Sequence, residues 1–198
     1  MINLTSILDH VVYVLNTGLS KDLTYHNANH TLDVVEQCMA IAKEEGITDA
    51  QILLELHVAA IYHDTGFLFT YTNHEERSCL IAREELPGFG LNEQTIERIC
   101  ELIMATKVPQ MPTNHLQKII CDADLDYLGR DDFFETGNNL RLELIKYNFI
   151  SGEHDWEERQ LNFLQTHQYF TKTSRQKRGP KEKIFIEQLV NSRSPQTK

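Results

Sequence analysis

Apolar residues recur at three- and four-residue spacing along almost the whole chain, and no stretch sustains the every-other-residue alternation of a half-buried strand. Leu4, Ile7, Leu8, Val11, Val12 and Leu15 form the first such stripe, with Gly18 as its stop. A second helix begins near residues 27–29, carries Leu32, Val35, Cys38, Met39 and Ala42, and stops at Gly46. Thr48 or Asp49 can cap a third, which runs through Tyr62 and ends at Gly66. Residues 67–73, rich in aromatics and threonine, read as a loop. Helices are then expected over 74–85, from a cap at Asn92 to Thr106, over 114–128, 132–149 and 155–171. A last amphipathic piece spans 183–191, beyond Gly179-Pro180. The pattern predicts an all-α domain over residues 1–171 with a basic extension over 172–198 holding a short helix.

With 198 residues, one core can bury roughly 70% of the chain's surface without a disulfide scaffold. The four cysteines lie far apart with no C-x-x-C pair, which excludes a zinc ribbon and suits reduced, buried thiols. No apolar run approaches the ~18 residues of a membrane span, and the first residues lack a basic-then-apolar leader. These features predict a cytoplasmic protein without a membrane partner. Net charge is −10, unevenly spread: residues 172–198 hold eight basic side chains against two acidic ones, leaving residues 1–171 at −16. So acidic a body repels nucleic acid, and the tail is expected to be a solvated extension.

Chemistry-bearing residues interrupt the apolar helices at few places. His26 and His30 sit in Tyr25-His26-Asn27-Ala28-Asn29-His30, four apart, and face one way if one helix includes both. His63-Asp64 follows a mostly apolar helix. Adjacent helical positions point about 100° apart, so the two would not pair with each other but can both reach an ion off the helix end. Taken alone, His63 can equally be a satisfied core histidine, with Asp64 accepting local backbone hydrogen bonds. Further on, Asp122, Asp124 and Asp126 punctuate an apolar helix. Asp124 falls among core positions, where an unpaired carboxylate costs several kcal/mol and a cation is the economical remedy. Asp122 and Asp126 share a side, so at least one is expected to be solvated.

These elements resemble the HD superfamily of metal-dependent phosphohydrolases. His30, His63-Asp64 and Asp124 match its order and approximate spacing, together with the lead-in Ala59-Ala60-Ile61-Tyr62, His74-Glu75, and Ala123 and Leu125 around Asp124. The Tyr25-His26-Asn27 form looks like the cyclic-nucleotide phosphodiesterase branch. The resemblance spans roughly residues 20–130 and implies a compact helical bundle of the HD-domain type. It assigns His30, His63, Asp64 and Asp124 as metal ligands, His26 as the acid that protonates the leaving oxygen, and His74 as a group for phosphate or a second ion. The chain has Phe67 where phosphodiesterases carry a further histidine, and it lacks a later His-His pair, so one ion is expected rather than two.

Two imidazoles and two carboxylates suit zinc, manganese, iron or cobalt better than magnesium. Such an ion lowers the pKa of a bound water, and Asp64 could orient that water as well as ligate. An imidazole titrates near neutrality, which suits His26 for delivering a proton. An isolated H-x-x-x-H zinc site is the lesser reading of His26 and His30; no glutamate follows His26, so the H-E-x-x-H motif is absent. Lys107 can contact phosphate, and Phe67, Phe69 and Tyr71 can line a slot for a nucleobase. Arg141, Lys146 and the remaining histidines (His10, His57, His115, His154, His167) read as structural or exposed. The expected activity is hydrolysis of a small-molecule phosphate ester, mono- or diester and nucleotide-like. A non-catalytic metal- or nucleotide-binding signalling module is the alternative. A homodimer is among the expected states.

Overall fold

The computed structural model describes residues 2–193. Among them ten α-helices and three short 3-10 turns account for all regular structure, and no strand occurs. The helices are α1 (Leu4–Gly18), α2 (Ala28–Glu44), α3 (Ala50–Tyr62), α4 (His74–Glu85), α5 (Glu93–Ala105), α6 (His115–Asp124), α7 (Phe133–Lys146), α8 (Glu153–Thr166), α9 (Lys172–Lys177) and α10 (Gly179–Arg193). Residues 194–198, the end of the expected extension, lie outside the described part.

Local chemistry places most boundaries where the pattern put them. Asp49 accepts hydrogen bonds from the amides of Gln51 and Ile52, Asn92 from Thr95, and Asn114 from Gln117, each filling an N-cap. Gly46, at φ 79°, turns the chain out of α2 while the Ile47 amide donates back to the Ala42 carbonyl at 2.9 Å. Helices α1 to α6 enclose the main core, built on Ile7, Val11, Val34, Leu56, Ile61, Ile99, Ile103 and Ile119 among others. A second cluster (Tyr25, Leu125, Leu128, Phe133, Leu164, Phe185) joins α7, α8 and α10 to the end of α6.

Three expected helices end early, α6 at Asp124, α7 at Lys146 and α8 at Thr166. Asp122 is buried, not solvated: its carboxylate accepts the amides of Phe170 and Thr171, each at 2.8 Å, and the Thr171 hydroxyl at 2.6 Å. Those amides are thereby taken from any continuation of α8, which stops at Thr166 rather than 171. Asp126 is buried as well, because α6 ends at Asp124 and tightens into a 3-10 turn over Asp126–Gly129. The turn delivers Asp126 to Arg178, with contacts of 2.8 and 2.7 Å. Gly129 passes so close to the Arg178 backbone that a Cβ would sit 2.5 Å from its carbonyl oxygen. The expectation that at least one of the pair faces water is thus corrected.

The basic tail is likewise not a solvated extension over its described length. Ser174 and Phe185 are buried, and α10 lies along α8. Its cations meet the acidic body: Arg178 pairs with Asp126, Lys177 with Glu44, and Lys181 with Asp131. Part of the charge asymmetry in the sequence is thus met within the molecule. Among the described residues no helix is long and apolar enough to cross a membrane.

Candidate metal centre and adjoining pocket

Three separate helix ends bring the donors together. His30 lies in the first turn of α2, His63 and Asp64 follow the last residue of α3, and Asp124 closes α6. His63 keeps helical dihedrals as the C-cap of α3 while Asp64 leaves them (φ −108°, ψ 5°), and the two side chains converge: Asp64 Oδ2 lies 3.2 Å from His63 Nε2. The other spacings are similar. His30 Nε2 is 3.4 Å from His63 Nε2, 3.4 Å from Asp64 Oδ2 and 3.3 Å from Asp124 Oδ1, and His63 Nε2 is 3.6 Å from Asp124 Oδ1. Nitrogen and oxygen ligands held at 2.0–2.2 Å in a tetrahedron sit roughly 3.3–3.6 Å apart, and the separations among His30, His63 and Asp124 are of that size.

Two further observations support that fit. Asp64 Oδ2 is buried and has no hydrogen-bond partner, an expensive state for a carboxylate oxygen unless a cation faces it. His63 Nδ1 donates to the Ala60 carbonyl at 2.8 Å, which fixes the tautomer and turns the Nε2 lone pair inward. His30, His63 and Asp124 by themselves form a group with all donor atoms within 4.8 Å of one another.

The electrostatics describe a site that holds positive charge. Burial opposes charging His63, yet the carboxylates of Asp64 and Asp124 prevail and hold its imidazole well above the usual range. Burial opposes ionising Asp64, but His63 and His74 keep its carboxyl well below the usual range. Asp124 is pushed down to about 2, against burial, by hydrogen bonds from His30 and His63. A divalent ion would compete with protons for the two imidazoles, so affinity falls as pH drops.

His26 stands beside the cluster but outside α2, whose N-cap is Asn27; the conditional expectation of a shared helix is corrected. Its ring remains 5.9 Å from that of His30. His26 Nδ1 donates to Glu143, leaving Nε2 as its remaining ring nitrogen. The same carboxylate accepts the amides of Tyr25 and His26, at 2.9 and 3.0 Å, and the Tyr71 hydroxyl at 2.8 Å. Despite burial, the His26 contact and these amides hold Glu143 below the ordinary carboxylate range. Glu143 was not singled out in the sequence. Its signal is its place on the apolar stripe of α7, three residues after Leu140 and next to Leu144.

His74 opens α4 with Nε2 3.3 Å from Asp64 Oδ1. It orients the carboxylate whose other oxygen faces the cluster. Gly66 makes this possible: a Cβ there would lie 1.9 Å from the His74 carbonyl oxygen, so only glycine lets the turn after His63-Asp64 touch the start of α4. Gln110, also not anticipated, reaches Asp124 Oδ2 at 3.3 Å. Asp122 faces the opposite way, towards Thr171, and is no ligand.

A cavity of about 460 Å³ opens beside these groups, with His26, Asp64, His74 and Asp124 on one side and residues of α7 and α8 on the other. Lys107 lies on its edge, with its ammonium donating to Glu76 and, at 3.0 Å, to Asn73. Of the three aromatics expected to form a slot, Phe67 and Tyr71 line the cavity, and Phe67 also stacks on the rings of His26 (4.2 Å) and His74 (4.0 Å). Phe69 is exposed beneath the Arg77 guanidinium and does not line the cavity; Tyr71 does.

The HD domain family model matches residues 27–126, half of the chain and all four cluster residues. The chain belongs to the HD superfamily. A crystal structure described as a predicted HD superfamily hydrolase, from an uncultured Thermotogales bacterium, superposes with a TM-score of 0.61 at 21% identity. It covers 96% of this chain and 97% of that one, so the likeness of fold includes the C-terminal helices beyond the family model. No curated protein sequence matches the chain. The superfamily is one of metal-dependent hydrolases, and the His30, His63 and Asp124 cluster could hold a metal ion.

Proposed function

We propose that this HD protein hydrolyses phosphate esters of small molecules, using one divalent ion held by His30, His63, Asp64 and Asp124. The observation that carries this reading is the buried Asp64 Oδ2, without a hydrogen-bond partner and 3.2–3.4 Å from two imidazole nitrogens. The donor set favours zinc, manganese, iron or cobalt. When bound, the ion supplies a water of lowered pKa and neutralises charge on phosphoryl oxygens.

The chain's own residues supply the rest. Asp64 has its Oδ1 beside His74 Nε2, which leaves Oδ2 directed to the cluster. His26 lies on the cavity with Glu143 on Nδ1, which leaves Nε2 as the ring nitrogen to deliver a proton to a leaving oxygen. His74 borders the cavity and can meet a phosphate there, while Lys107 on the same lining is held by Glu76 and Asn73. Phe67 stacks on both histidine rings and so helps to position them at the cavity.

The test is activity on a generic phosphomonoester and a phosphodiester with manganese added, alongside measured bound metal. Asp64→Ala should lower activity about 1,000-fold and reduce metal content, because the ion's stabilisation is worth several kcal/mol. His26→Ala should lower turnover about 100-fold or more with metal retained. Unchanged activity in Asp64→Ala overturns the reading; equal metal loss in His26→Ala makes His26 a ligand instead.

A further inference from the structure

The cavity beside the metal centre is larger than a bare phosphate needs and is unequal in character. Its far side is built by α7, α8 and the link between them, and presents Leu140, Leu144, Phe149, Trp156 and Phe163. Leu144 and Trp156 are themselves buried and packed with Ile150, so this wall is a fixed part of the core and not a loose rim. A volume of 460 Å³ falls in the range of sites that enclose a small organic ligand, roughly 300–1,000 Å³.

Fixed positive charge is scarce in the same space. Of the lysines and arginines on its lining, Lys107 is committed to Glu76 and Asn73. Arg159 is the other, and no carboxylate pairs with it among the described residues. Asp64, Glu75 and Asp124 line the cavity as well. Asp64 and Asp124 are offset by the ion and the imidazoles around them, so beyond that cluster the lining offers one unpaired guanidinium to the further charges of a di- or triphosphate, a poor electrostatic match. One phosphate facing the donor cluster, with an apolar ring behind it against Trp156, matches both sides.

We infer that the pocket selects esters carrying a single phosphate and a bulky apolar ring, and discriminates against polyphosphates. The placement of the phosphate rests on the hydrolase reading; the apolar subsite on α7 and α8 does not. Trp156 is the chain's single tryptophan, so its emission reports occupancy of the subsite without turnover.

The metal-loaded protein is titrated with benzylphosphonate, methylphosphonate and inorganic triphosphate, exciting the indole selectively. Benzylphosphonate should change the emission with a Kd at least about tenfold below that of methylphosphonate, and triphosphate should bind more weakly than benzylphosphonate. Phe149→Ser, at a side chain 41% exposed and therefore tolerant of change, should erase several-fold of the benzyl advantage and leave methylphosphonate unaffected. Equal affinity for the two phosphonates, no emission change with benzylphosphonate, or tighter binding of triphosphate overturns the inference. Benzyl-selective binding in a protein that turns over no phosphate ester would instead remove the hydrolase reading and leave the subsite standing.

Discussion

On one side of the pocket every working group is titratable and held by named partners: Asp64 by His74, His63 by the Ala60 carbonyl, Asp124 by Gln110, His26 by Glu143. On the other side the lining is mainly leucine, phenylalanine and tryptophan, held by packing against a minor core. The difference is one of tolerance. A polar constellation works only within a few tenths of an ångström, and each partner restricts the next. An apolar wall excludes water and sets shape, and side chains of similar volume can replace one another at modest cost. Chemistry is therefore concentrated on α2, α3, α4 and α6, while selection among substrates is open to change on α7 and α8.

Two glycines break this comparison most sharply. Gly66 faces backbone, since an added Cβ would lie 1.9 Å from the His74 carbonyl oxygen, and neither segment can yield without moving a cluster residue. Gly66→Ala should cost about 3 kcal/mol and lower Tm by about 10 °C in thermal unfolding, with loss of bound metal. A variant that melts like the wild type and keeps its metal would show that the turn is not the fixed element claimed here.

Glu143 joins the two sides, lying on α7 yet serving His26. Glu143→Gln should reduce turnover about 10- to 100-fold while metal content stays unchanged, as expected for loss of an orienting partner. It should also cost about 2 kcal/mol at neutral pH, because a charge-assisted set of hydrogen bonds is replaced by an amide that cannot accept them all. The folded carboxyl titrates below its ordinary value. Its stabilisation is therefore complete above the unfolded-state pKa of about 4.3 and is lost as pH falls through the folded value. Urea unfolding of wild type and variant should show the full gap at neutral pH and a narrower one below about pH 4. A gap independent of pH would mean that the charge contributes nothing.

Gly137 is the counterpart on the apolar side. An added Cβ would meet Gln160 Nε2 at 2.8 Å and a Trp156 ring carbon at 3.5 Å. The first is the end of a flexible side chain, and alanine in mid-helix gains up to ~1 kcal/mol over glycine. Gly137→Ala should therefore change stability by less than about 1 kcal/mol, with metal content and turnover close to wild type. Destabilisation comparable to Gly66→Ala would erase the distinction between the two sides.

The donor cluster was legible because imidazole and carboxylate side chains interrupt apolar stripes at helix ends, where burial is costly without a ligand. The all-helical fold followed from periodicity alone. Asp122 and Asp126 were misread because helical spacing assigns a face to a residue but does not say what covers it; here the chain after α8 and Arg178 on the tail do. Glu143 was hidden for a related reason. Its partner His26 lies 117 residues away, and a glutamate on a half-buried helix has no local mark that separates a solvated acid from a buried one. The aromatic segment after Asp64 was located, but which of its rings line the cavity (Phe67 and Tyr71) and which is exposed (Phe69) depended on where α4 begins.

The sequence by itself determined most of the helices and several of their caps, because these follow from local periodicity and backbone hydrogen bonding, while the four donors were named through the resemblance to the HD superfamily. Tertiary structure decided which oxygen of Asp64 faces the imidazoles, which acids the basic tail neutralises, and that an apolar wall closes the pocket. Those outcomes depend on surfaces brought together over long separations in the chain, where contact rather than spacing sets the energy.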